Sequence, residues 1–145
     1  MSISSKKRIY QIYEAFSAGR IDLLTDVFDE NVDFITNAPT EVFPYLGRRL
    51  GRAQVVNALK AVHDEFEALS FLPIWMVTER DTAGVILSVH ATQKATGRIV
   101  RFFAAHFLRF RDDRILEYRA IMDSLQAVQQ VLGREFDLNK NENPN

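Results

Sequence analysis

The sequence predicts a single α+β domain in which a cone-like, curved antiparallel sheet wraps around helices and encloses a pocket. Three observations lead there. Apolar residues recur at helical spacing through most of the first half. Four consecutive runs rich in β-branched and aromatic residues, parted by hairpin-sized breaks, fill most of the second. The 145 residues also include 11 Phe and 4 Tyr, enough to build a core or a cavity wall largely from rings. Helices segregated against one antiparallel sheet define the α+β class.

Taken in order, Ile9, Ile12, Tyr13 and Phe16 make one face of a first helix, and Gly19 supplies its stop. Ile21, Leu24 and Phe28 mark a shorter second helix. Asn31 to Thr36 reads as a short strand with Val32 and Phe34 on one side. Residues 37–51, with Pro39, Pro44, Gly47 and Gly51, read as a long loop of the kind that forms lids or rims. A third helix begins at Ala53, its stripe running through Val55, Leu59, Val62, Phe66 and Leu69. After Pro73 come four strands: Ile74–Glu79, Gly84–Gln93, Ile99–Arg111 and Arg114–Met122. Their breaks, at residues 80–82, 95–97 and 112–113, suit an antiparallel meander. Leu125 to Leu132 closes the domain as a last helix. Residues 133–145 read as a polar tail, disordered over its Asn-rich end.

Length fits one domain over residues 1–132, with no internal repeat, glycine-rich phosphate loop or linker. A net charge of -1 gives no global field toward nucleic acid or anionic membrane. The arginine groups Arg48, Arg49, Arg52 and Arg109, Arg111, Arg114 are interrupted by apolar or acidic neighbours and read as solvated surface. The absence of cysteine removes disulfides, thiolate metal sites and a thiol nucleophile. Three scattered histidines lack metal-ligand spacing, so no metal is expected. The polar, basic start is not a signal peptide and no stretch approaches a membrane span, which makes the cytoplasm the expected compartment.

Phe107-Leu-Arg-Phe-Arg-Asp-Asp-Arg-Ile-Leu-Glu-Tyr-Arg-Ala-Ile-Met-Asp123 resembles the penultimate strand, tight turn and last strand of the nuclear transport factor two-like superfamily. Residues 18–33 are similar to the segment joining its early helices to its first strand. Gly51-Arg-Ala-Gln-Val-Val resembles its entry to the third helix. The likeness covers Lys6 to Leu132 and is greatest to the SnoaL-like branch, which includes polyketide cyclases and is related to ketosteroid isomerase, scytalone dehydratase and limonene epoxide hydrolase. It implies the cone fold and a pocket. It does not fix the chemistry, because one cone hosts several reactions and non-catalytic binding domains.

The resemblance directs attention to Asp123, at the end of the last strand, where relatives place a catalytic carboxylate. In an aromatic cavity such a group would be a usable general base. Asp123 also precedes a helix, with Gln126 at capping-box spacing, so a structural cap is the other reading. Asn37 matches an asparagine-x-proline element that holds water in limonene epoxide hydrolases, or is ordinary turn chemistry. His90 and His106 lie on adjacent strands, facing roughly Phe103 and Leu87, and resemble the histidine pair of scytalone dehydratases; core or surface positions are the alternative. Arg119 shares strand parity with Ile121 and Asp123, and would bind a substrate oxyanion or pair with an acid on a neighbouring strand. Ketosteroid isomerases have a first-helix tyrosine and two pocket acids; Tyr13 or Tyr10 would supply the tyrosine, though neither aligns cleanly, and the central strands offer no second acid. The stretch Val85–Gln93 lacks the arginine–aspartate pair of limonene epoxide hydrolase, which counts against epoxide hydrolysis.

The expectation is a cofactor-free enzyme of isomerase, cyclase or dehydratase type. Its substrate would be a small apolar molecule carrying a carbonyl, and Asp123 would be the base. The alternative is a non-catalytic ligand-binding or dimeric interaction domain. A homodimer is expected through the outer sheet face, because the strand Arg101–Arg111 presents large apolar residues on both faces.

Overall fold

The structure is a computed structural model that describes residues 6–137. The disordered end expected for the tail lies largely outside them. Helix α1 (Lys6–Ser17) buries Ile9, Ile12, Tyr13 and Phe16, the face its spacing predicts. Burial of side chains this size is worth about 1.5–3 kcal/mol each. Gly19, at φ 72°, turns the chain out of the helix, and His63 Nε2 donates at 2.7 Å to the carbonyl of Phe16, which also accepts from the Gly19 N–H at 3.1 Å. Helix α2 (Ile21–Leu24) runs into a 3₁₀ turn at Thr25–Val27, and Phe28 opens β1 (Phe28–Thr36) rather than ending a helix.

Within the predicted loop, Arg48–Leu50 forms a short strand, β2, antiparallel to β1 with Phe34 opposite Arg49. Helix α3 (Arg52–Glu65) then ends earlier than the sequence suggests, because Phe66 already begins β3 (Phe66–Glu79). Val62, Phe66 and Leu69 are spaced like a helix stripe, but a bulge between Glu67 and Ser70, with Ala68 at φ 50°, brings Phe66 and Leu69 to the same buried side of a strand. Pro73 lies inside β3, which is the sheet's outermost strand and tolerates a residue without an N–H donor.

The strands β4 (Thr82–Gln93), β5 (Ile99–Arg111) and β6 (Arg114–Met122) complete a sheet ordered β2-β1-β6-β5-β4-β3. β3 to β6 form the expected meander, while β1 returns parallel to β6. The β5–β6 turn, Asp112-Asp113, has φ of 48° and 68°, the left-handed pair of a tight two-residue hairpin. Helix α4 (Ser124–Leu132) covers one end of the sheet and is stopped by Gly133 at φ 70°.

Two carboxamides extend the ladder where strands run out. Gln130 of α4 accepts from the N–H of Arg101 and donates to its carbonyl at 2.9 Å, as a neighbouring strand would. Asn37 does the same to Met122, at 2.9 and 3.3 Å. The core lies between the inner sheet face and α1, α3 and α4. No helix among the described residues is long and apolar enough to cross a membrane.

Candidate functional site

The inner face of the sheet, α3, α4 and residues 37–47 enclose a cavity of about 90 Å³, room for several waters or part of a small organic molecule. Its walls are mostly aromatic and aliphatic, including Phe34, Phe43, Phe71, Phe102, Val131 and Met122. The polar side chains lining it are those of Thr36, Tyr45, His106 and Tyr118; among the described residues no Asp, Glu, Lys or Arg lines it.

Strand alternation puts His106 of β5 and Tyr118 of β6 on the inner face, and α1 presents Tyr13 to both. Nδ1 of His106 lies 2.8 Å from the hydroxyl of Tyr13 and 2.8 Å from that of Tyr118. The two hydroxyls also hydrogen-bond each other, Tyr13 donating to Tyr118, which leaves the Tyr118 hydroxyl to donate to the single lone pair of Nδ1, and the ring proton is assigned to Nε2. Among the described residues Nε2 meets no hydrogen-bond partner and no buried side-chain nitrogen or oxygen is unpaired, so Nε2 is assigned to the side of the cavity that His106 lines. Burial lowers the His106 pKa to about 3, which keeps the ring neutral at ordinary pH. Burial also holds Tyr13 and Tyr118 well above the usual phenol range. The cluster is therefore uncharged, and its free polar valence toward the cavity is an N–H donor.

Of the residues singled out in the sequence, His106 and Tyr13 meet here; the others stand elsewhere. Asp123 is exposed. Its Oδ1 accepts from the N–H of Gln126 at 3.2 Å as the N-cap of α4, and it does not line the cavity. Its strand-mates point outward too: Ile121 is exposed, and Arg119 donates to the Asp33 carboxylate at 3.2 Å, the neighbouring-strand acid pairing. Arg119, Ile121 and Asp123 do share a face, but it is the outer one, and Tyr118, Ala120 and Met122 face inward. Asn37 is spent on the backbone of Met122. His90 is exposed and lies opposite Arg101, while His106 lies opposite Val85. Each partner is two residues from the expected one, and the two histidines project from opposite faces. The inward residues of β4 are Ala83, Val85, Leu87, Val89 and Ala91, so the charged relay of an epoxide hydrolase has no place on this strand.

Sequence reasoning missed Tyr118 and Tyr45. Tyr118 had a signal: its parity set, Tyr118, Ala120 and Met122, is uncharged, whereas the alternate set carries Arg119 and Asp123. Tyr45 had none, because its partner Glu65 lies on a different element.

Several solved structures share the fold. A candidate isomerase from Rhodopseudomonas palustris is 24% identical, with a TM-score of 0.82, over 92% of this chain and 100% of that one. IdmH, a candidate polyketide cyclase from Streptomyces antibioticus, is 20% identical with a TM-score of 0.71, over 88% of this chain and 96% of its own. An epoxide hydrolase from M. tuberculosis, like limonene epoxide hydrolase, reaches 10% identity and 0.71 over 88% of each chain. No curated protein matches the sequence. Residues 9–118 match the SnoaL-like domain family, and with the cone fold and its cavity described above, the chain belongs to that family.

Proposed function

We propose that the chain binds a small, mostly apolar organic molecule in this cavity and promotes cofactor-free proton transfer within it, of isomerase, cyclase or dehydratase type. The observation that carries this reading is the cluster in which His106 and Tyr118, both lining a mostly apolar chamber, meet Tyr13 behind them. A ligand carbonyl placed at His106 Nε2 receives a hydrogen bond that strengthens as negative charge grows on its oxygen during enolisation. Tyr13 and Tyr118 fix the imidazole's orientation and tautomer. The low basicity of His106 means that it holds its proton and donates a hydrogen bond, so it serves as an oxyanion donor and not as a base. Asp123 stands outside the chamber, and removal of the carbon proton falls to water or to a group on the ligand. The candidate isomerase and cyclase that share the fold support this class of reaction.

A second reading, ligand binding without catalysis, is favoured by the lack of a carboxylate among the described lining residues. One experiment separates the two. With 1-tetralone as probe in D₂O, catalysis predicts α-proton exchange faster than in buffer, lost in His106→Ala and slowed in Tyr118→Phe. Binding by NMR shifts without faster exchange supports the second reading, and no binding removes both.

A further inference from the structure

Residues 37–47 run from β1 to β2 as a strap over the cavity, and contribute Phe43, Tyr45 and Leu46 to its lining. The base of the strap is pinned. Thr36 N–H donates to the Gly47 carbonyl at 2.9 Å, and Gly47 N–H to Thr36 Oγ1 at 3.0 Å. The Arg49 guanidinium donates to the carbonyls of Pro44 and Tyr45, at 2.7 and 2.9 Å. These ties all stay on the β1–β2 flank of the sheet.

The Tyr45 hydroxyl leaves that flank. It donates to Glu65 Oε1 at the end of α3. The other carboxylate oxygen, Oε2, accepts from Gln93 Nε2 at 3.1 Å, at the end of β4. The Glu65 carbonyl also accepts from Lys94 N–H at 2.9 Å. β1 and β4 are separated in the sheet by β6 and β5, so this side-chain pair reaches from one flank to the other across the strands that floor the cavity. The acceptor is held from two directions before Tyr45 arrives, so little order remains to be lost when the bond forms. Burial and the neighbouring carboxylate hold the Tyr45 phenol far above its usual range, so its proton stays available to the bond.

We infer that Tyr45 and Glu65 form a latch that controls passage of the ligand into and out of the cavity; this rests on the reading that the cavity binds an apolar molecule. The closed bond keeps Phe43, Tyr45 and Leu46 over the ligand. When it breaks, the strap keeps the ties at its base, including those of Asn37 to Ala120 and Met122 of β6, while the part that carries Phe43, Tyr45 and Leu46 loses its hold on α3 and the mouth opens. A latch of this kind differs from a binding contact, because it sets entry and exit rates together and leaves their ratio nearly fixed.

The test uses the full chain and the neutral fluorescent probe N-phenyl-1-naphthylamine in stopped flow, with amide hydrogen exchange measured separately without probe. Tyr45→Phe keeps the ring beside Phe43 and removes only the hydroxyl. It is expected to raise both association and dissociation rates roughly tenfold while Kd moves less than about twofold. Glu65→Gln is expected to do the same to a lesser degree. In both variants the amides of Val42 and Phe43 exchange faster, and that of Leu87 in β4 does not. Normal probe binding with unchanged rates, or unchanged strap exchange, overturns the latch. A raised Kd at an unchanged association rate makes Tyr45 a binding contact and overturns it as well. Failure of the unaltered protein to bind the probe overturns the functional reading itself, and the ligand gate with it.

Discussion

The imidazole of His106 and the hydroxyl of Tyr13 meet at 2.8 Å although 93 residues separate them, which ties the middle of β5 to the buried face of α1. Their rings lie 5.6 Å apart, and Phe71 closes over the imidazole at 6.4 Å. The packing that assembles the polar cluster is thus also what dries it.

That drying has a pH signature. His106 is lowered to about 3 in the folded chain by burial, against about 6.5 unfolded, so below pH 6.5 the unfolded state binds a proton that the folded state refuses. Stability therefore rises with pH through this window and falls on acidification. Between pH 7 and 5 the loss from this one group is about 2 kcal/mol. Denaturant melts at the two pH values should show it, and His106→Gln should flatten the dependence. An equally steep dependence in the variant would assign it to other groups.

Asp123 gives a contrast between substitutions. Asparagine caps helices about as well as aspartate, whereas alanine costs roughly 1 kcal/mol at such a position. Because Asp123 caps α4 and does not line the cavity, Asp123→Asn should leave melting temperature and probe binding unchanged, while Asp123→Ala should lower the melting temperature only. A large loss of turnover in a well-folded Asp123→Asn protein would return the carboxylate to the reaction.

Much of the fold is legible in the residues. The meander announces itself through β-branched runs and the Asp112-Asp113 turn, and α1 through its four-residue face. What is not legible depends on tertiary context. Phe66 and Leu69 satisfy a helical period and a bulged strand equally well, and only the pairing with β4 decides between them. Arg48–Leu50 becomes a strand solely because β1 needs a partner on that edge. For the site, alternation correctly grouped Arg119 with Asp123 but did not say which face was inner. The two charges in that set were the available clue, since a charged pair is costly to place in an apolar chamber. His106 was legible as a candidate, but its two tyrosine partners arrive from other elements.

The outer face predicts association of two copies. Trp75, Phe103, Phe107 and Ile121 are 66%, 57%, 52% and 54% exposed, and the register makes them neighbours through Ile86, Ala105 and Gly84. With Leu72, Ile74 and Val77 the apolar area is roughly 800 Å², about what one partner contributes to a stable interface. Light scattering at micromolar concentration should give a dimer, and Phe107→Glu a folded monomer. A monomeric unaltered chain would sink the prediction.

Filling the cavity should separate binding from folding. Ala91 is buried and lines the chamber, so Ala91→Phe places a ring where the ligand would lie. Binding of N-phenyl-1-naphthylamine should weaken at least tenfold, with stability changed by less than about 2 kcal/mol because the ring enters existing space. Undiminished probe binding would place the probe outside this chamber.

Along β5, Val100, Phe102, Ala104, His106 and Leu108 turn inward, while Arg101, Phe103, Ala105, Phe107 and Arg109 turn outward. One strand therefore carries two interleaved texts, read from opposite sides. Changes at Val100, Phe102 and His106 rewrite what the chamber accepts, and changes at odd positions rewrite what the molecule meets outside. A lineage can revise either without editing the other, which lets chemistry and company drift apart on a single stretch of chain.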